Sequence, residues 1–286
     1  MEIKLVRHFW GVDLTRDLSE YAPQWRQLGY EAVEASLRLV PDRGRFLRFL
    51  KEESFQWVPQ IFSYDFNPGG SVREHLDSLR EQIEECLDHA PLFFNAHSGS
   101  DAWSTAEAED FYAQAVELEQ RLGAAVSHET HRRRYFGIPW QTRHILERFP
   151  GLSLTCDLSH WVCVCERLLP DLGDIVALAA RHCRHLHARV GFAEGPQVPD
   201  PSAPEYAAEL SAHEAWWDQI WQSQEERGFT HSTLTPEFGP PPYMHTLPHT
   251  HVPVADLAAV CDGMACRQRE RFRRRFAPRM LASGRE

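Results

Sequence analysis

The residues of this chain best equipped for chemistry are carboxylates and imidazoles gathered in four short segments. These are Ser127-His128-Glu129-Thr130-His131, Thr155-Cys156-Asp157-Leu158-Ser159-His160, His185-Leu186-His187-Ala188-Arg189 and Thr235-Pro236-Glu237-Phe238-Gly239. Sixteen of the 286 residues are histidine, and acidic residues outnumber basic ones 41 to 30, a formal charge of −11. Three carboxylates and one imidazole, Glu129, Asp157, Glu237 and His187, repel one another in a confined site unless a cation sits between them. Three oxygen donors and one nitrogen suit one divalent ion, Mn2+ first, with Mg2+, Co2+ or Zn2+ as alternatives.

That convergence needs elements to carry it. Eight strand-like runs alternate with helical stretches: 3–8, 32–36, 57–62, 92–97, 125–128, 153–157, 185–189 and 232–237. Their starts lie about 25 to 47 residues apart, room for a strand, a helix and two loops. Between them, 71–89 carries Val72, Leu76, Leu79, Ile83 and Leu87 at close to helical spacing. Stretches 105–122 and 254–272 read the same way, and Ser104 with Glu107 makes a capping-box pattern. Eight β/α units in order predict a single-domain (β/α)8 TIM barrel over 1–286, with a C-terminal helical tail from about 253. Side chains two apart on a strand share a face. Ser127 with Glu129, Thr155 with Asp157, His185 with His187 and Arg189, and Thr235 with Glu237 then point together. Small inward residues beneath them would leave room for a sugar-sized ligand.

Each residue alone has an ordinary structural duty. Asp157 can cap the next helix, Glu129 can pair with Arg132 or Arg133, and Glu237 can sit in a solvated turn. The case for a site is the coincidence of ligand types at four successive strand ends. Around them, His97 at the fourth strand end suggests a substrate contact or a second metal. Glu34 at the second strand end suggests a hydroxyl contact, and Trp10 and Trp103 suggest pocket walls. His185 is expected beneath the site. His245, His249 and His251 resemble a metal clip without a clear place. Trp216, Trp217 and Trp221 read as core or dimer contact, and the basic run 267–279 as a solvated helix face.

Composition excludes other classes. No run of about 18 apolar residues exists for a membrane span, and MEIKLVRHFW lacks the apolar stretch of a signal peptide. Seven cysteines without a CxxC pair fit reduced, cytoplasmic thiols. The acidic balance argues against nucleic acid. No GxGxxG or GxxxxGK[ST] supports a nucleotide site.

The motifs SHETH, CDLSHW, HLHARVG and TPEFGPPPY, in this order and spacing, resemble those of the xylose isomerase-like TIM-barrel superfamily, the sugar phosphate isomerase and epimerase group. The resemblance spans nearly the whole chain and is most specific from 127 to 243. It implies a metal held by Glu129, Asp157, His187 and Glu237, with Glu129 and Glu237 as the catalytic proton carriers. It implies substrate contacts for His160 and for Arg189, although the arginine stands only two residues past the histidine, where the ketose epimerases carry it further on. Gln197, in the segment that follows, is a further substrate-binding candidate. The implied substrate is a small carbohydrate, and the implied assembly a homodimer. A second reading is a phosphodiesterase resembling the apurinic-site endonucleases, although the Asp-x-His pair expected after strand seven is missing. A third is a metabolite-binding barrel without catalysis.

Overall fold

The computed structural model describes residues 1–64 and 69–276. Eight parallel strands close in chain order: β1 (Glu2–His8), β2 (Tyr30–Ala35), β3 (Gln56–Phe62), β4 (Phe94–His97), β5 (Val126–Glu129), β6 (Leu154–Cys156), β7 (Cys183–His187) and β8 (His231–Thr235). β8 pairs with β1 through Glu2 to Leu5, which completes the barrel. The predicted TIM barrel is the observed one, with strand ends displaced by up to two residues. The exit segments of β6, β7 and β8, which hold Asp157, Arg189 and Glu237, leave the ladder just before the chemistry begins.

Helices α1 (Ala22–Leu28), α2 (Arg43–Glu52), α3 (Val72–Leu87), α4 (Thr105–Leu122), α5 (Pro139–Arg148), α6 (Leu158–Cys165), α7 (Gly173–His182), α8 (Ala207–Glu226) and α9 (Leu257–Phe276) cover the outside. The Ser104–Glu107 capping box forms at α4, and Ser71 with Glu74 forms another at α3. Buried Gln82 of α3 ties the helix to β3, its amide oxygen accepting from the Phe62 N–H. Trp216, Trp217 and Trp221 are buried on α8, and Trp221 meets Phe272 of α9 edge to face at 5.2 Å. They are core. The C-terminal helix is thus an integral outer helix against α8 and β1; residues 277–286, including the end of the basic run 267–279, lie outside the described residues.

The barrel interior is stratified. Val6, Ala32, Val58 and Phe93 form a small apolar plug separate from the main core between strands and helices. Above it the inward positions turn polar: Glu34, Asn95, Ser127, Thr155, His185 and Thr235 are all fully buried. The room expected beneath the ligands is therefore filled. The open space lies above them, against the loops that follow β1, β2 and β5.

Candidate metal centre

Four side chains from four consecutive strand exits meet above the polar layer. Glu129, Asp157, His187 and Glu237 each offer a ligand atom, and these atoms lie within 4.8 Å of one another. His187 Nδ1 is 3.1 Å from Glu237 Oε2, 3.8 Å from Glu129 Oε2 and 4.0 Å from Asp157 Oδ2. The group is buried.

The imidazole is aimed from behind. His187 Nε2 lies 3.1 Å from both carboxylate oxygens of Glu34. A proton on Nε2 donated to Glu34 leaves the Nδ1 lone pair facing the three carboxylates, the arrangement that metal-ligating histidines favour. Glu34 is the hub of the layer below: it accepts from Asn95 Nδ2 and Thr235 Oγ1, each at 2.7 Å, and faces His185 Nε2 at 3.4 Å. Asn95 Nδ2 also donates to Glu129 Oε2 at 2.7 Å, so one amide holds both Glu129 and the carboxylate that aims His187. His185 is held between Thr233 and Thr235, beneath the site as expected.

Asp157 has two roles at once. Its Oδ1 caps α6 by accepting from the Ser159 N–H at 3.1 Å, and its Oδ2 faces the centre. The oxygen that caps the helix and the oxygen that faces the centre are different atoms of one carboxylate. Arg189 lies beside it. Its Nη2 pairs with Asp157 Oδ2 and sits 3.4 Å from Glu237 Oε2, while its Nε donates to Ser159 Oγ at 3.1 Å.

The centre tests well as a cation site. Glu129 Oε1, His187 Nδ1 and Glu237 Oε2 are buried atoms that make no hydrogen bond, a costly state that a cation would relieve. The charges strain in the same sense. Burial opposes ionisation of Glu129, but His97 and His187 outweigh it and hold its carboxyl down at about 2. Burial also opposes ionisation of Glu237, which His187, Arg189 and His8 hold well below the usual range. Burial, with Glu237 and Glu129 nearby, pushes Asp157 up to about 6 against the pull of Arg189 and His187. Burial would keep His187 neutral, yet Glu34, Glu237 and Glu129 hold its pKa well above the ordinary value. A field that draws a proton onto Nδ1 also draws a cation there.

Around the centre, His97 Nε2 lies 2.8 Å from Glu129 Oε2 and its ring stacks on His131 at 4.4 Å. His97, Glu129 and His131 make a second group with ligand atoms within 4.8 Å. His8 accepts the Trp10 N–H at Nδ1, and its Nε2 is 3.3 Å from Glu237 Oε1. Trp10 packs so tightly over Gly239 that a Cβ there would meet its ring at 2.2 Å, so glycine is required.

A cavity of about 500 Å³ opens above the centre. His97, Arg189, Glu237 and Trp10 line it, together with His8, Gln60, His131 and Tyr243. Three substrate-binding expectations are corrected. Glu34 is fully buried and its oxygens are taken by Asn95, Thr235 and the histidines, so it orients His187 instead of meeting a ligand. Gln197 spends its amide on the backbone of Gly239, donating to its carbonyl at 3.1 Å and accepting its N–H at 2.7 Å; it fixes the segment that follows β8. His160 is fully buried outside the cavity lining, where its Nε2 accepts from Arg189 Nη2 at 2.6 Å. Trp103 packs on His75 and Phe111 instead of walling the cavity. His245, His249 and His251 form no candidate metal group among the described residues. Sequence reasoning missed Asn95, His131, Arg132 and Tyr243. His131 and Arg132 stand just past the end of β5, and Tyr243 closes the TPEFGPPPY motif.

No protein-family model matches the chain, and no curated protein matches it in sequence. Solved structures match its fold. A xylose isomerase-like TIM-barrel protein from Mycobacterium smegmatis, in complex with magnesium, is 14% identical with a TM-score of 0.59, over 94% of each chain. A 3-keto-D-glucoside 4-epimerase from E. coli is 11% identical with a TM-score of 0.61, over 94% of this chain and all of its own. An AP endonuclease of family 2 from Brucella melitensis is 16% identical with a TM-score of 0.55, over 81% of this chain and 91% of its own. The chain carries the fold of the xylose isomerase-like TIM barrels.

Proposed function

We propose that this protein is a divalent-metal-dependent isomerase or epimerase of a small sugar, sugar phosphate or polyhydroxy acid. The observation that carries the reading is the convergence of Glu129, Asp157, His187 and Glu237 on one buried point, with His187 Nδ1 aimed at it by Glu34. A magnesium-bound neighbour and an epimerase neighbour of the same fold support it. Asp157, His187, Glu129 and Glu237 would hold the ion, Mn2+ first by donor chemistry, with Mg2+, Co2+ or Zn2+ as alternatives. When bound, the ion supplies a Lewis acid that makes the carbon next to a carbonyl more acidic.

The chain's own residues do the rest. Glu129 and Glu237, kept ionised by their cationic neighbours, are the bases that take and return the proton at that carbon. Arg189 steadies Asp157 and Glu237. His97 and His8 hold the carboxylates of Glu129 and Glu237 from the cavity side. Trp10 and Tyr243, edge to face at 4.7 Å, form an aromatic wall suited to a sugar face. Glu129→Gln should abolish deuterium incorporation from D2O into substrate while the protein stays folded; full retained exchange would sink the assignment.

The reading extends to a cytoplasmic location, in keeping with seven free cysteines, and no described helix is long and apolar enough to cross a membrane. A homodimer is carried over from the family resemblance alone. A second reading rests on the group His97, Glu129 and His131, which suits a further metal and hence a phosphodiesterase like the endonuclease neighbour. One ion per chain supports the isomerase, and two or more support the phosphodiesterase.

A further inference from the structure

We infer that the substrate carries an oxyanion, a carboxylate or a phosphate, that docks on Arg132 against the face of Tyr243. This rests on the reading that the cavity above the metal centre is the substrate site. The chain as a whole is acidic, at −11. Yet the cavity lining contains four arginines, Arg132, Arg133, Arg134 and Arg189, and among the described residues a single carboxylate, Glu237. A lining with that inversion of charge selects an anion from solution.

The four arginines are not equivalent. Arg189 is committed to Asp157, Glu237 and Ser159 at the floor. Arg134 is buried and its Nη1 donates to the Gly99 carbonyl at 3.4 Å. Arg132 is half-buried and has no carboxylate within ion-pair distance among the described residues; its polar contact is Nη1 with Cys163 Sγ at 4.0 Å. Its guanidinium lies over the Tyr243 ring at 4.9 Å, and Arg189 lies over the same ring at 5.4 Å. Stacking uses the flat face of a guanidinium and leaves its in-plane N–H groups for a two-oxygen partner.

Its backbone is fixed as well. His131 Nδ1 donates to the Arg132 carbonyl at 2.6 Å, and the His131 ring is wedged between His97 and His160 at 4.4 and 4.1 Å. The cation is thus anchored to the same histidines that border the metal centre. A substrate with its oxyanion on Arg132 shares the cavity with Glu237 and Arg189 and with the apolar side chains of Phe9, Val12 and Val40.

The test uses magnesium-loaded full-length protein and three matched probes, benzoate, phenyl phosphate and benzyl alcohol, titrated by calorimetry with bound metal assayed in parallel. Arg132→Met should weaken the binding of at least one anion by about 10- to 100-fold. Arg132→Lys should restore part of it, and benzyl alcohol should be indifferent to either change. Whichever anion binds tighter to the wild type identifies the oxyanion. The proposal is overturned if neither anion binds the wild type better than the alcohol. It is equally overturned if Arg132→Met leaves both anions unaffected, the result expected were the anion seated on the ion. Binding is read without turnover, so it can fail while deuterium exchange succeeds, and the reverse.

Discussion

The two halves of the barrel do different work. Strands β5 to β8 end in the groups that converge on one buried point, and each presents one at its exit: Glu129, Asp157, His187 and Glu237. Strands β1 to β4 end in residues that aim, border or enclose. Glu34 orients His187, Asn95 ties Glu34 to Glu129, and His8 and His97 face Glu237 and Glu129. Phe9, Trp10, Val12 and Val40 wall the cavity. One half supplies chemistry and the other supplies shape and support, so a substitution should reveal its half by what it changes.

The largest effects are expected in the second half. Asp157→Asn should lower metal affinity by at least about 100-fold, because it removes a charge from the ligand set while keeping the oxygen that caps α6. Competition with a metal-binding dye would measure this. The support layer comes next. Glu34→Gln should cost about 10- to 100-fold in metal affinity, the range for an outer partner of a ligating histidine. It should also lower Tm, since an amide cannot accept from Asn95, Thr235 and His187 together. An unchanged affinity would move Glu34 from the supporting role to a purely structural one.

A smaller and different effect is expected at the wall. Trp10→Ala should raise KM by about 10-fold with kcat and metal content unchanged, the pattern of lost uniform binding. A fall in kcat alone would put Trp10 with the chemistry and blur the division.

An effect of a different kind, on stability alone, lies outside both halves. His213 on α8 accepts the Gly191 N–H at Nε2 and contacts the Glu209 carbonyl through Nδ1, so it is held neutral. Burial lowers its pKa to about 4, against about 6.5 when unfolded. The unfolded chain therefore binds the extra proton between these values. The contribution is complete above pH 6.5 and is lost as the pH falls toward 4, on the order of 3 kcal/mol in all. His213→Gln should flatten that part of the stability profile in urea titrations without altering metal affinity.

The chemical half was the legible one. Carboxylates and imidazoles at four successive strand ends, together with period-two alternation, pick out Glu129, Asp157, His187 and Glu237, which the structure brings together. The alternation of strands with amphipathic helices likewise specified the barrel. The supporting half was not legible, for physical reasons. A glutamate at a strand end reads the same whether it faces a cavity or a histidine five strands away, so Glu34 was misassigned. Gln197 and His160 were misassigned for the same reason, since their partners, Gly239 and Arg189, are set by tertiary structure. The cavity wall was hidden because Phe9, Val12 and Val40 have the composition of ordinary core. Arg132 follows its strand in a loop with no periodicity to fix its direction.

The central claim is that four strand exits hold one divalent ion. Its most direct test is metal stoichiometry after loading with Mn2+ and desalting, read by elemental analysis for the wild type, Asp157→Asn, Glu237→Gln and Trp10→Ala. One ion per chain is expected in the wild type and in Trp10→Ala, and little in the two ligand variants. A wild type that retains no ion, or ligand variants that keep a full complement, would contradict it.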